Sequence, residues 1–204
     1  MNKYRVLFLG AASLFLTAGF AADKQRDVTL HGVMFTKVRT GADGIHIGDI
    51  DTETVVGGRA CRAGWLHLHP DGTPAAFTAA QDIVLPRVTI PAGTWVNQNP
   101  EGIVTTCAFP ADTLVQGHLC RGTGGPKGAQ TAFYPDGALR QFFLAKPATI
   151  DGVPCDTSLS RGSVELYENG RLKSGRLGQD LERDGRKLRK GTRITLSPEG
   201  QIQR

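Results

Sequence analysis

One turn signature recurs about every 30 residues and constrains this chain more than any other feature of its sequence. The tripeptide Pro-Asp/Glu-Gly stands at 70–72, 100–102, 135–137 and 198–200, Glu-Asn-Gly at 168–170, and a reduced Asp-Gly at 43–44. Proline pre-sets the first central position of a type I turn, Asp or Asn suits the second, and glycine accepts the left-handed exit. We therefore predict turns near residues 43, 71, 101, 136, 169 and 199, in units of about 30–35 residues.

The segments around these turns also match one another without gaps. Residues 93–102 (GTWVNQNPEG) align with 191–200 (GTRITLSPEG), and 64–72 (GWLHLHPDG) align with 162–170 (GSVELYENG). Residues 101–120 align with 136–155, which superposes Cys120 on Cys155, and GGRAC at 57–61 is a third copy of that ending. Self-similarity at a fixed period is the sequence signature of repeat architectures.

Alternation of apolar and polar residues within the copies predicts β-strands. In GWLHLHPDG, Leu66 and Leu68 point to one face while Trp65, His67 and His69 point to the other. The aliphatic positions are kept between copies and the opposite positions vary, which is typical of a sheet with one packed face and one face open to water or a ligand. We predict an all-β fold, a repeat array of antiparallel units arranged as an extended meander or a β-solenoid.

The segment RGSVELYENGRLKSGRL, 161–177, resembles the bacterial variant of MORN-type repeats, with the cadence G-x-x-x-x-Y-x-x-N-G-x-L. QTAFYPDGALRQFFL, 130–144, follows the same cadence less completely. The spacing here is longer than in ordinary MORN arrays. The sequence G-x-x-C, which stands at 58–61, 117–120 and 152–155, is not part of their pattern. The resemblance implies an antiparallel β scaffold that serves as an interaction module, and it carries over no catalytic residue.

The amino-terminal residues read as an export signal. Lys3 and Arg5 precede an uncharged, mostly apolar run from 6 to 20, and small residues at 19 and 21 suit a signal peptidase. We predict a signal peptide at 1–21 and a single β-repeat domain at 22–204, in a periplasmic or secreted protein. The apolar run is too short for a comfortable membrane span, which needs about 20 residues, so no transmembrane segment is expected after cleavage.

Four cysteines suit an oxidising compartment, and four allow three pairings. None stands in a C-x-x-C motif, so neither a zinc knuckle nor a thioredoxin-like site is indicated. Cys107 and Cys120 fall on consecutive strands of one unit. We predict the disulfides Cys107–Cys120 and Cys61–Cys155.

The pair His67 and His69 is the one candidate metal site. Both side chains are expected on one strand face about 7 Å apart, and Asp71 follows at the spacing that zinc enzymes use. Against this, Gly72 stands where the familiar motif continues with a histidine, and Asp71 is explained by the recurrent turn. A metal-binding protein or metal-dependent hydrolase using His67 and His69 is therefore the alternative hypothesis, and exposed strand residues the favoured one.

The segment 171–193 is the one strongly basic region. It contains nine Lys or Arg residues against three acidic ones. We predict that part of it contacts a protein partner or an anionic envelope polymer; the candidate binding residues are Arg183, Arg186, Lys187, Arg189 and Lys190. The competing interpretation is a solvated last hairpin whose charges keep the end of the array soluble.

The remaining features favour binding over catalysis. No nucleophile elbow, Ser-His-Asp arrangement or cofactor fingerprint is present in the sequence, so we expect no cofactor and no enzymatic activity. Loss of Lys3 and Arg5 with the leader leaves 22 basic against 19 acidic residues, a net charge of +3. That mild excess, without aromatic residues interleaved in the basic segment, argues against nucleic-acid binding. The sequence thus predicts an exported β-repeat protein that binds or scaffolds a partner.

Overall fold

The computed structural model describes residues 24–157 and 162–203 of this protein. Those residues form β-strands and no helix, and the paired strands run antiparallel, which confirms the predicted all-β class. In the same residues there is no helix of the length and apolar character that a membrane span requires. The predicted signal peptide, 1–21, lies outside the described residues, as does Arg161 at the start of the MORN-like segment.

In chain order the strands are β1 Gln25–Leu30, β2 Val33–Thr40, β3 His46–Ile50, β4 Thr54–Val56, β5 Arg59–Leu68, β6 Pro74–Ala79, β7 Ile83–Leu85, β8 Val88–Ile90, β9 Trp95–Gln98, β10 Val104–Ala108, β11 Thr113–Val115, β12 His118–Cys120, β13 Thr131–Phe133, β14 Leu139–Phe143, β15 Ala148–Ile150, β16 Val153–Cys155, β17 Ser163–Leu166, β18 Leu172–Arg176, β19 Leu181–Arg183, β20 Arg186–Leu188 and β21 Arg193–Thr195.

One large sheet carries most of these strands in an order that follows the chain. Its sequence is β1-β2-β3-β5-β6-β9-β10-β13-β14-β17-β18-β21, with β4 paired to the start of β5. Four separate two-stranded hairpins, β7–β8, β11–β12, β15–β16 and β19–β20, lie between successive sheet strands. We call these four, together with β4 and the start of β5, the hairpin layer.

The six predicted turns share one hydrogen-bond pattern. At the second, the N–H of His69 donates to the Thr73 carbonyl (2.8 Å) and the N–H of Gly72 donates to the His69 carbonyl (2.9 Å). The turns that begin at Gly41, Asn99, Tyr134, Tyr167 and Ser197 repeat both bonds. The glycine of each turn is left-handed, as at Gly72 with φ of 86°, which explains why glycine is kept where the other turn residues vary.

The variable middle residue of each turn is matched by its neighbours. Where it is Asp or Asn, its own side chain accepts the N–H two residues on; Asp71, for example, accepts the Thr73 N–H at 2.9 Å. Where it is Glu, the first turn residue takes over this role: Asn99 accepts the Ile103 N–H at 2.8 Å, and Ser197 accepts the Gln201 N–H at 3.3 Å. In the turns with Glu at the middle position, the first turn residue therefore supplies the side-chain hydrogen bond that Asp or Asn supplies in the others.

The hairpins of the hairpin layer close with two-residue turns. Four of them have positive φ at both turn residues, the type I′ geometry whose twist matches that of paired strands; these are 57–58, 116–117, 151–152 and 184–185. The hairpin β7–β8 turns at Pro86 and Arg87, which have no positive φ. Such short turns hold strands of only three residues in register.

Each of three hairpin tips docks on the sheet turn that follows it in the chain. The Gln116 amide donates to the Gly137 carbonyl (2.8 Å) and accepts the Leu139 N–H (3.0 Å). Carboxylates do the same at the next two tips, where Asp151 accepts the Leu172 N–H and Asp184 accepts the Ile202 N–H. In all three cases the donor lies two residues after the turn glycine. These contacts fold the hairpin layer over one face of the sheet.

The core lies between the sheet and the hairpin layer. Leu66 and Leu68 are fully buried there, as the alternation in β5 predicted, and Phe77 and Phe142 continue the same face on other strands. The hairpins contribute the inward side chains of their own strands, such as Ile90. Truncating such a buried leucine to alanine costs about 2–5 kcal/mol. The packed face is thus committed to stability, and we call the opposite face the outer face.

Candidate functional site

The outer face of the sheet presents a continuous row of mostly polar side chains. Strand register places directly opposite neighbours on one face, and the pairing runs without interruption from β2 to β21. The row consists of Arg39, Ile47, His67, Ala76, Asn97, Thr106, Ala132, Gln141, Glu165, Ser174 and Thr195; most of these side chains are half-buried, and Ala76, Ala132 and Ser174 are buried. Varied side chains on a regular backbone are what a binding surface needs, because each strand can change one contact without altering the core.

Two tryptophans flank His67 on this face. The indole of Trp65 is 55% exposed, and its ring lies 6.3 Å from the His67 imidazole. On the other side, His67 meets Trp95 edge-on at 5.6 Å. Trp95 is buried and forms a small second cluster with Ala76 and Ala108. The outer face therefore carries three neighbouring aromatic rings, of which the Trp65 indole is the exposed one.

His67 is held in a state that disfavours its charged form. Its Nε2 is buried and makes no hydrogen bond to any described residue. Burial, followed by the positive charge of Arg39, lowers the pKa of His67 below the usual value for an imidazole. The imidazole therefore contributes a neutral ring surface near pH 7.

Charged side chains on the first three strands lie in one row with the exposed indole. Arg26 on β1 lies directly opposite Lys37 on β2, Lys37 lies opposite Asp49 on β3, and Asp49 lies opposite Trp65 on β5. Arg39 stands two residues beyond Lys37 and so points to the same side. We call this set, with Lys24 and His67, the N-terminal platform.

The charges of the N-terminal platform are uncompensated. Lys24, Lys37 and Arg39 line an open groove of about 280 Å³, together with Asp49 and Trp65. Neither these charged groups nor Arg26 form an ion pair with another described residue. The groove therefore has an excess of positive charge beside an accessible aromatic ring.

His69, the second predicted metal ligand, has a structural partner. Its Nε2 lies 3.1 Å from the Gln98 carbonyl oxygen, across strand β6. Tyrosines occupy the same turn position in two other copies and make the equivalent bond: the Tyr134 hydroxyl donates to the Leu166 carbonyl (2.9 Å), and the Tyr167 hydroxyl donates to the Leu196 carbonyl (2.7 Å). His69 thus ties one turn to the next.

Asp71 is likewise occupied by its own turn. Its carboxylate accepts hydrogen bonds from the Thr73 hydroxyl (2.7 Å) and the Thr73 N–H (2.9 Å), which hold the pKa of Asp71 below its usual value. Within 24–157 and 162–203, no three His, Cys, Asp or Glu side chains come together in a group able to hold a metal ion. The geometry around His67 and His69 is accounted for by packing and turn bonding.

The predicted disulfides Cys107–Cys120 and Cys61–Cys155 are absent, because all four cysteines are buried free thiols. Cys61 lies on β5, whereas the backbone of Cys155 pairs with Leu177, just beyond β18, in an isolated β-bridge. Six sheet strands lie between β5 and β18. Burial, and after it the neighbouring Cys120 thiol, raises the pKa of Cys107, but the two thiols are not bonded.

Three of the cysteines fill one recurring core position. Cys61, Cys120 and Cys155 each stand three residues after the last residue of a hairpin turn, where Ile90 and Leu188 stand in the other two hairpins. Cysteine acts here as a small apolar side chain. Burial raises the pKa to about 12 for Cys61 and Cys120 and to about 11 for Cys155, so the thiolate is scarce at neutral pH.

The predicted basic site divides into one anchored arginine and four exposed cations. Arg183 donates to the Asp151 carbonyl (3.0 Å) and the Gly200 carbonyl (2.6 Å), so it fastens the last hairpin. The other predicted residues, Arg186, Lys187, Arg189 and Lys190, are exposed around the tip and base of β19–β20. Lys187 makes one loose contact with Glu182 at 4.0 Å. The segment 171–204 contains no aromatic residue, so these cations have no sequence neighbour comparable to Trp65.

Sequence reasoning placed Trp65 and His67 on the outer face but missed the cations beside them. Lys24 with Arg26, and Lys37 with Arg39, are two cation-x-cation pairs on alternating segments. That spacing was the available signal, because residues two apart on a strand share a face. The register that brings both pairs next to Trp65 depends on pairings across three strands.

No protein-family model, no curated protein and no solved structure matches this chain.

Proposed function

We propose that this chain is an exported, non-enzymatic β-repeat protein that binds a protein or an envelope polymer through the outer face of its sheet. The periplasm or the extracellular space is its proposed location, and MORN-like units are its proposed building blocks. The observation that carries the proposal is the contrast between the two faces: one is closed by the hairpin layer, and the other presents an exposed indole and uncompensated cations.

The recurring contacts between units support an array. Hairpin tips that dock on following turns, and turn side chains that bond to the next turn, each link one unit to its neighbour. In such arrays stability comes from neighbour contacts, so surface residues are free to vary. Arg183, in the last hairpin, stands where earlier hairpins carry Val56, Val115 or Ile150 before the turn, which suits the polar cap that an array end requires.

Charge indicates the kind of partner. Cations are exposed at both ends of the sheet, in the N-terminal platform and around β19–β20. A surface of this kind attracts anionic partners at long range, and salt screens the attraction. An acidic protein or an anionic polymer of the cell envelope fits that requirement.

Binding of residues 22–204 to immobilised partners tests the proposal. The panel consists of lipoteichoic acid, polygalacturonate, poly-glutamate and, as a neutral reference, dextran. We expect retention on at least one anionic partner, little on dextran, and release as salt is raised from 50 to about 500 mM, because the Debye length falls well below 10 Å. Retention on none of the anionic partners, or equal retention on dextran, would contradict the proposed function.

A further inference from the structure

The N-terminal platform is unusual in its charge arrangement. Arg26 and Lys37 are directly opposite each other on neighbouring strands, a placement in which like charges repel. Arg39 and Lys24 add positive charge on the same side, and Asp49 is the one acidic side chain among the described residues that line the groove. An anion bound among these side chains relieves the repulsion that the protein alone leaves in place.

The platform also combines three kinds of chemistry in one row. Lys37, Asp49 and Trp65 stand on three consecutive sheet strands, about 4.8 Å apart from one strand to the next. The row therefore offers an ammonium group, a carboxylate and an exposed flat ring within reach of a single ring-sized ligand. His67 lies beside the indole, and the buried Trp95 lies on the other side of His67.

We propose that the N-terminal platform binds an acidic saccharide. A pyranose ring stacks on the Trp65 indole, its hydroxyl groups donate to the Asp49 carboxylate, and its carboxylate pairs with Lys37 and Arg39. This assignment rests on the proposed function, since it names the substrate class of the outer face. Aromatic walls with a few placed polar groups are the usual composition of small-molecule sites, and the groove of about 280 Å³ has room for one sugar ring.

Two other anionic polymers fit the platform less well. Proteins that bind single-stranded nucleic acid stack successive bases on several aromatic side chains, whereas Trp65 is the one exposed aromatic side chain of the platform. A glutamate side chain and a DNA phosphate supply the anion but carry no hydroxyl group that could donate to Asp49. A sugar acid supplies the anion and the hydroxyl donors together.

The cations have one competing explanation without a ligand. Strand β1 is an edge of the sheet, and positive charge on edge strands discourages pairing with other chains. That explanation accounts for Lys24 and Arg26 but gives no part to Trp65. The two explanations therefore differ in what happens when the indole is removed.

Titration calorimetry of residues 22–204 at 50 mM salt provides the test. The probes are oligogalacturonate, free galacturonate, poly-glutamate and an oligothymidylate of equal charge. The variants are Trp65→Ala, Trp65→Phe and the double variant K37Q/R39Q, with K127Q/K146Q as the control that removes the same charge from two exposed lysines outside the N-terminal platform and the last hairpin. Thermal unfolding shows that each variant is folded, and Trp65→Phe retains an aromatic ring if Trp65→Ala does not fold.

We expect oligogalacturonate to bind the native protein more tightly than poly-glutamate or oligothymidylate. Trp65→Ala and K37Q/R39Q each weaken it at least about tenfold, as loss of an aromatic contact or of a charged pair implies. Trp65→Phe has a smaller effect, and K127Q/K146Q changes affinity less than about twofold, because exposed distant charges contribute little. Competition by free galacturonate identifies the single ring, rather than the polymer, as the bound unit.

Three results would overturn the inference. One is equal affinity for oligogalacturonate and poly-glutamate with no effect of Trp65→Ala, which leaves the proposed function standing but reduces the platform to a patch of charge. Another is preferential binding of oligothymidylate. The third is unchanged saccharide affinity of K37Q/R39Q, which would leave edge protection as the explanation for the cations. Binding of no anionic probe at all would remove the proposed function as well.

Discussion

Single side chains in this protein do their work by linking neighbouring turns. His69, Tyr134 and Tyr167 occupy the same turn position and reach across a strand to the carbonyl that precedes the next turn. An imidazole thus replaces a phenol because both place a polar hydrogen at the end of a flat ring. The two histidines that resemble a metal motif therefore have different roles: His69 links two turns, and His67 lies between Trp65 and Trp95 on the outer face.

Removing one of these hydroxyl groups should weaken the fold measurably. Tyr167→Phe leaves the Leu196 carbonyl without its donor, and we expect a loss of about 1 kcal/mol in the free energy of unfolding. Tyr134→Phe, which removes the equivalent bond to Leu166, is the parallel case. Urea denaturation of both variants checks the expectation. Unchanged midpoints in both would show that the hydroxyl bonds do not contribute to stability.

The four thiols should behave as core side chains. Because they are buried and their pKa values are raised, we expect little reaction with N-ethylmaleimide in native buffer. In denaturant without reductant all four should react, and the mass should rise by four adducts. A disulfide-linked peptide containing Cys107 and Cys120, from protein prepared under oxidising conditions, would contradict the assignment of these cysteines as free thiols.

At the scale of elements, the hairpin β19–β20 carries basic residues of two kinds, one anchored to the backbone and the others exposed to solvent. Arg183 and Arg186 are direct cross-strand partners, yet the first is fastened to two backbone carbonyls and the second is exposed. The anchored arginine holds the hairpin on the last turn, while the exposed cations face solvent. Basic residues in this segment are therefore not equivalent, although the sequence presents them as one run.

The two arginines provide a matched pair for mutation. Arg183→Ala removes bonds from a charged donor to the carbonyls of Asp151 and Gly200, and we expect a loss of about 1.5–3 kcal/mol. Arg186→Ala removes the same charge from an exposed position and should change stability by less than about 0.5 kcal/mol. Chemical denaturation of the two variants measures the difference. Equal effects would mean that charge, rather than anchoring, determines the stability of this end.

Elements governed by local chemistry were predictable from the sequence, and those governed by long-range register were not. The turns at 70–72 and 168–170 are encoded by residues within five positions of one another, and Leu66 and Leu68 reveal their strand by alternation. The three-residue strands around Gly117 and Gly152 carry too few residues for a periodic signal, so the hairpins were read only as a G-x-x-C element. The number of cysteines predicts disulfides but does not give their positions. The structure places all four side chains in the core as free thiols.

At the scale of the whole molecule, the protein consists of two layers, the sheet and the hairpin layer. The sheet and the hairpin layer bury one continuous core between them, and the chain adds strands in sequence order, so neighbours in sequence are neighbours in space. Side chains on the outer face can therefore change without altering the core. The N-terminal platform is the part of this face where charge, an aromatic ring and an open groove coincide.

The hairpin layer offers the main competing surface. Val55, Val84 and Leu114 point outward from three successive hairpins and are exposed. Exposed aliphatic side chains in a row are the kind of surface that protein partners use. Because we assign binding to the outer face, on the opposite side of the sheet, the two surfaces have to be distinguished by a method that detects individual side chains.

Nuclear magnetic resonance of indole and methyl groups does this most directly. The chain has two tryptophans, one exposed and one buried, so the indole N–H region contains two signals. On adding the anionic partner retained most strongly, we expect the Trp65 signal to shift with saturation, while the methyl signals of Val55, Val84 and Leu114 stay in place. Shifts confined to those methyl groups, with the Trp65 indole unchanged, would contradict the assignment of binding to the outer face.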